Sequence, residues 1–147
     1  MARVDAPALY ELRRRVLRGN DPAKSVADPR DAAPTTLHFG GYLDGVLVVS
    51  ATFLLAPAPT HEGPAYQLRY MATDVAVQGR GYASAVMATA IAALRERGAH
   101  QLWANARDSA LGFYVKTGWR VLEGSEHLSP ETQLPHTVIV MDLAPTP

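Results

Sequence analysis

The spacing of apolar and polar positions changes several times along the chain, and each change predicts an element. Leu9, Leu12, Val16 and Leu17 recur at helical spacing over residues 8–18, with Asp5 placed to cap and Gly19 to stop the helix. Pro22, Pro29, Pro34 and several aspartates then predict a loop or broken short helix over 20–35. A loop of that length in a small domain is often functional. Leu37 to Leu43, Asp44-Gly45 and Val46 to Leu55 predict a β-hairpin, because Asp-Gly supplies the positive φ of a tight turn. After a proline-rich loop, Ala65 to Thr73 reads as another strand. Ala83, Val86, Met87, Ala90, Ile91 and Leu94 share one face of a helix over 80–97, ended by Gly98. Gln101 to Ala106 predicts a short strand, and Asp108 is placed to cap a helix over 109–117 that Gly118 stops. Trp119 to Leu122 and Thr137 to Leu143 read as a last antiparallel pair across a polar loop. A first strand is either tiny, Ala2 to Val4, or missing. This order predicts one α+β (α/β-like) domain over 1–147, with a mixed central sheet.

Composition narrows the chemistry. Without cysteine, disulfides, thiolate metal sites and a cysteine nucleophile are excluded. Five scattered histidines show no ligand spacing, so no metal is expected. A formal net charge of zero argues against a nucleic-acid partner, whose binding needs a basic excess. No apolar run approaches membrane-spanning length and the start has no apolar signal core, so a soluble, cytoplasmic protein without a membrane partner is expected. Arg13, Arg14, Arg15 and Arg18 crowd the first helix. They read as a solvated basic face or as a patch that attracts an acidic acceptor or phosphates.

The most informative turn is Gln78-Gly79-Arg80-Gly81-Tyr82-Ala83. Two glycines between a strand and a helix let the backbone turn sharply and present successive N–H groups at the positive end of the helix dipole. That is an anion site, each charge-assisted hydrogen bond contributing about 1.5–3 kcal/mol. No Lys-Ser or Lys-Thr follows the glycines as a P-loop requires, and Gln101 stands where a dinucleotide fingerprint needs an acid. Alone, the turn is equally well a tight connection.

The downstream segment Arg107-Asp-Ser-Ala-Leu-Gly-Phe-Tyr-Val-Lys-Thr-Gly-Trp119 supplies the context. Gln78, Gly81 and Ala83 match the phosphate motif Q/R-x-x-G-x-G/A. Ala110, Phe113, Tyr114, Gly118 and Trp119 match N-x-x-A-x-x-F/L-Y-x-x-x-G-F without a gap. With both motifs in order, the sequence resembles the GNAT superfamily of N-acetyltransferases over roughly residues 37–143. The motif's Asn falls on Arg107, with Asn105 two residues earlier.

The resemblance implies a mostly antiparallel sheet flanked by helices and splayed between the strands at about 65–73 and 101–106. It implies acetyl-CoA (coenzyme A) as co-substrate and transfer to a primary amine, of a small molecule or a peptide, by direct attack in a ternary complex. Its coenzyme contacts fall on Met71, Ala72, Thr73, Gln78, Gly79, Arg80, Gly81, Tyr82, Ala83, Asn105, Phe113 and Tyr114. A main-chain N–H near Met71 would face the thioester carbonyl, and Tyr114 would serve the leaving thiolate as acid. A homodimer is common among such proteins. A strand glutamate that serves many members as base is replaced by Gln67, which cannot titrate. A water ordered by Gln67 and relaying to His136 is the preferred route, with His38, Asp74 and Glu126 as the other candidates. The competing reading is a non-catalytic acyl-CoA-binding sensor or interaction module.

Overall fold

The computed structural model describes residues 1–143. Its elements are β1 (Ala2–Arg3), α1 (Ala6–Leu17), β2 (Leu37–Leu43), β3 (Val46–Leu55), β4 (Ala65–Thr73) and α2 (Tyr82–Glu96). There follow β5 (Gln101–Arg107), α3 (Leu111–Lys116), β6 (Arg120–Val121), β7 (His127–Leu128) and β8 (Pro135–Asp142). The strands form one sheet in the order β1-β2-β3-β4-β5-β8-β6, with β7 also paired to β8. Every pairing is antiparallel except β4 with β5. The expected fold class holds, and the first strand exists as a two-residue pairing on Gly40 and Phe39.

Strand alternation assigns each face of the sheet to a helix. On β3, Val49, Ala51 and Phe53 join Val86, Met87, Ala90 and Leu94 of α2 in the main core. Burying a large side chain there contributes roughly 1.5–3 kcal/mol. Thr52 points the other way, to α1, whose Leu9 and Leu12 pack with Leu47 and Ala72.

Two irregularities position the site. The parallel pairing of β4 with β5 ends at Gln67↔Trp103, so the two strands part beyond it. On its other edge β4 bulges: its register with β3 passes from Thr52↔Arg69 to Ser50↔Ala72. Tyr70 and Met71 therefore have no paired residue on β3, and Tyr70 adopts φ +58°. For an aromatic residue this left-handed backbone costs on the order of 1–3 kcal/mol. The extra residue shifts the alternation by one. Leu68 and Met71 both meet the α2-side core, while the consecutive side chains of Arg69 and Tyr70 both reach Asp28 on the α1 side.

Three local expectations are corrected. Asp108 caps no helix: its segment is a single 3₁₀ turn over Asp108–Ala110, and its carboxylate instead accepts from the Thr137 hydroxyl at 2.8 Å. Asp5 stands at the N-cap of α1 without a side-chain cap bond. The basic face of α1 is largely consumed internally. Arg13 is 1% exposed, and its guanidinium donates to Asp31, Thr52 and the Val26 carbonyl. Arg15 pairs with Glu11 and Asp74, and Arg18 with Glu131.

Candidate active site

Where β4 and β5 part, a cleft of about 430 Å³ opens through the sheet. Gln67, Met71, Asn105, Tyr114 and His136 all line it, although they come from four different elements. Sheet geometry sorts them. Asn105 and Arg107 lie on one face of β5, opposite Ala104 and Ala106, which belong to the α2-side core. His136 is the direct cross-strand partner of Arg107 and so shares that face. Met71 and Tyr114 reach the cleft from the α2 side.

Tyr114 is held by aromatic edges, with Phe113 at 5.3 Å and Trp119 at 5.5 Å between ring centroids. Burial pushes its phenol up to about 12, so it stays protonated throughout the physiological range. His136 lies 2.8 Å from the Leu134 carbonyl through Nδ1, which must therefore carry the proton. With Nδ1 so occupied, Nε2 is the ring nitrogen left to exchange a proton toward the cleft. Opposite it on β7, His127 is fixed in the same way on the Ser125 carbonyl, with ring centroids 6.1 Å apart.

The other candidate bases are engaged elsewhere or stand outside the cleft. His38 is buried, its Nε2 donating to the Asp31 carbonyl and its Nδ1 accepting from Thr52, whose oxygen is in turn a hydrogen-bond acceptor for Arg13. Asp74 accepts from the Ala76 N–H and from Arg15, which together hold its carboxyl below the usual range. Glu126 is exposed and absent from the cleft wall. Gln67, at the last paired position of β4, accepts a long 3.4 Å bond from Arg30, which leaves its amide NH₂ available toward the cleft.

The glycine turn lies apart from this cleft. Gly79 and Gly81 take φ +79° and +85°, and a Cβ built on either meets nothing within 4 Å. Gly81 is the N-cap of α2 and brings no capping side chain, so the first N–H groups of the helix are open to an anion. The Gln78 side chain folds back onto the Thr73 carbonyl. Arg80 is exposed and Tyr82 half-buried against the core. Ala72 turns its side chain into the α1-side cluster, which leaves only its main chain for a ligand. Phe113 stands outside the cleft wall.

A second group was hidden in the sequence. Asp28, in the 20–35 loop, accepts from Arg30, from Arg69 at 3.2 Å and from the Tyr70 hydroxyl at 3.0 Å. Burial works to raise its carboxyl, but these bonds and the Arg30 N–H outweigh it and bring it to about 2. Arg13 adds its guanidinium 4.2 Å from the Tyr70 ring centroid. The loop thus clamps the bulge. Only its length and its aspartates signalled a role.

Among the described residues no helix is long and apolar enough to cross a membrane, and no three metal-binding side chains converge. Residues 6–119 match the model of the Acetyltransferase (GNAT) family. The chain is 34% identical over 114 residues to "Uncharacterized N-acetyltransferase YitI" of Bacillus subtilis (strain 168), covering 77% of this chain and 76% of that one. Its fold is similar to that of aminoglycoside 6'-acetyltransferase type Ii, with a TM-score of 0.76, 13% identity and 100% of both chains covered. Escherichia coli ElaA has a TM-score of 0.73 at 17% identity, over 92% of this chain and 88% of its own. Motif order, split sheet, open glycine turn and these similarities agree: the chain belongs to the GNAT family of acetyltransferases and is an acyltransferase of the N-acetyltransferase type.

Proposed function

We propose that the protein moves an acetyl group from acetyl-CoA to a primary amine by direct attack in a ternary complex. The observation that carries this reading is the single cleft that gathers an imidazole with Nδ1 already engaged, a protonated phenol and an unpaired stretch of β4. The coenzyme's diphosphate would lie on the Gly79–Ala83 turn, with its thioester arm running beside β4 toward Met71. The amine would enter from the α1 side, where Gln67 and His136 stand.

The chemistry follows from what these groups can carry. The amine nitrogen attacks the thioester carbon, and the carbonyl oxygen gains charge beside the unpaired main chain of Tyr70 and Met71, a position suited to an N–H donor. The new nitrogen centre sheds a proton to Nε2 of His136, directly or through a water held by Gln67. Collapse breaks the carbon–sulfur bond and releases the thiolate next to Tyr114. Handing a proton from a phenol near 12 to a thiolate of ordinary pKa near 8.5 is uphill by about 5 kcal/mol. Tyr114 therefore acts as a hydrogen-bond donor to sulfur, and the proton collected from the amine balances the released thiol.

Thiol release measured across a panel of amines tests the reading. Tyr114→Phe should lower turnover by about 10²–10³-fold while acetyl-CoA binding, followed by calorimetry, is retained. An unchanged turnover in that variant would remove Tyr114 from the chemistry.

A further inference from the structure

The acceptor side carries a charge imbalance that the transfer chemistry does not use. The cleft continues into a second cavity of about 680 Å³ between the end of α1, the loop after it and the loop before β8. Across both cavities the walls present four basic side chains, Arg18, Lys24, Arg69 and Arg107, against one carboxylate, Glu131. Glu131 is shared by Arg18 at 3.6 Å and Arg69 at 2.9 Å, and Arg69 also holds Asp28. Arg107 and Lys24 have no ion pair among the described residues. Arg107 lines both cavities and is the cross-strand partner of His136. Adjacent strands lie about 4.8 Å apart, so the guanidinium projects from beside the imidazole on one face of the sheet.

We propose that Arg107 is an anion subsite, and that the acceptor is an amine bearing a carboxylate or phosphate within a few bonds of the nitrogen. This rests on the transferase reading above, since it takes His136 to mark where the amine sits. A molecule that places its amine at His136 and its charge on Arg107 must be short between the two. Amino acids and aminoalkyl phosphates both meet that demand, whereas a neutral amine leaves Arg107 unanswered. Lys24, on the wall of the second cavity and not of the first, adds to the attraction.

The test uses the full chain saturated with coenzyme A and titrated with acetylated products. N-acetylamino acids with small, aromatic and basic side chains are each compared with their own amides, and N-acetylaminoethyl phosphate with N-acetylethanolamine. Charge-assisted bonding predicts that at least one anionic form binds roughly 10–100-fold more tightly than its neutral counterpart. That ratio should fall as salt is raised, collapse to about 2-fold in Arg107→Gln and persist in part in Arg107→Lys. Whether the carboxylates or the phosphate hold the larger ratio identifies the anion. No anionic preference in any pair, including no binding at all, overturns the proposal, as does a preference that survives Arg107→Gln. Failure of acetyl-CoA itself to bind would sink the transferase reading instead, and calorimetry on the unmodified protein separates the two.

Discussion

Arg13 offers a quantitative test of how the site is braced. Its side chain is buried, with Nη1 donating to Asp31 Oδ2 and the Val26 carbonyl, and Nη2 to Asp31 Oδ1 and Thr52. The Asp31 side chain is only 4% exposed. Burial works to raise its carboxyl, but the bonds from Arg13 and the Asp28 N–H hold it below the usual range. Arg13→Leu strands that carboxylate, and breaking a buried pair from one side costs about 3–5 kcal/mol. For a chain of this size the loss lowers the melting temperature by about 10 °C. Adding Asp31→Asn removes the stranded charge and should recover about 1–2 kcal/mol. The pH dependence has a definite sign. Without Arg13, the folded pKa of Asp31 rises above its unfolded value, so the penalty is present above that folded pKa and is relieved as pH falls. Urea unfolding of the single and double variants, near neutrality and in mildly acidic buffer, measures all of this. A single-variant loss below about 1 kcal/mol, or a double variant no more stable than the single, would refute the account.

Other consequences can be checked more briefly. His136→Gln should lower kcat/KM by about 10²-fold near neutrality, read by thiol release. Gly81→Val places a β-branched residue at φ +85° and should cost about 1–2 kcal/mol in urea unfolding. Calorimetry on the same variant should show acetyl-CoA binding weakened at least about tenfold, because its side chain obstructs the turn. Asp28, with its pKa near 2, supports the fold above the unfolded carboxylate pKa and loses that support as pH falls toward 2. Asp28→Asn should therefore flatten the stability profile across that acid window, by about 2 kcal/mol at most.

The sequence announced those parts of the structure that short-range rules control. Asp44-Gly45 fixed a hairpin whose strand ends match Leu37–Leu43 and Val46–Leu55, and β4 spans Ala65–Thr73 as its pattern predicts. The apolar stripe of α2 likewise identified its buried face. Failures occurred where the deciding partner is distant in the chain. Arg13 reads as one of four surface arginines because Asp31 and Thr52 lie 18 and 39 positions away. Asp108 has a good capping sequence, yet its partner is Thr137. β7 is two residues long, too short to carry a period. At Tyr70 no glycine marks the positive φ, since the bulge is imposed from outside by Asp28 and Arg13. The same holds for the site. Tyr114 stood in a motif and could be read directly, whereas the placing of His136 beside Arg107, and on the same cleft as Gln67, depends on strand order.

The parting of β4 and β5 after Gln67↔Trp103 bears on solubility as well as binding. Two strands that cease to pair expose inner edges, and an unpaired edge is a template for any stray strand. Here those edges face one another across a narrow cleft within one molecule, roofed by the loop before β8. Set inside a cleft, they are less open to a strand of a second folded chain than an outer edge would be, while a slender extended molecule with amide groups can lie along them. The fold thus keeps an adhesive surface turned inward, and under the proposed function the coenzyme's amide-bearing arm would use it.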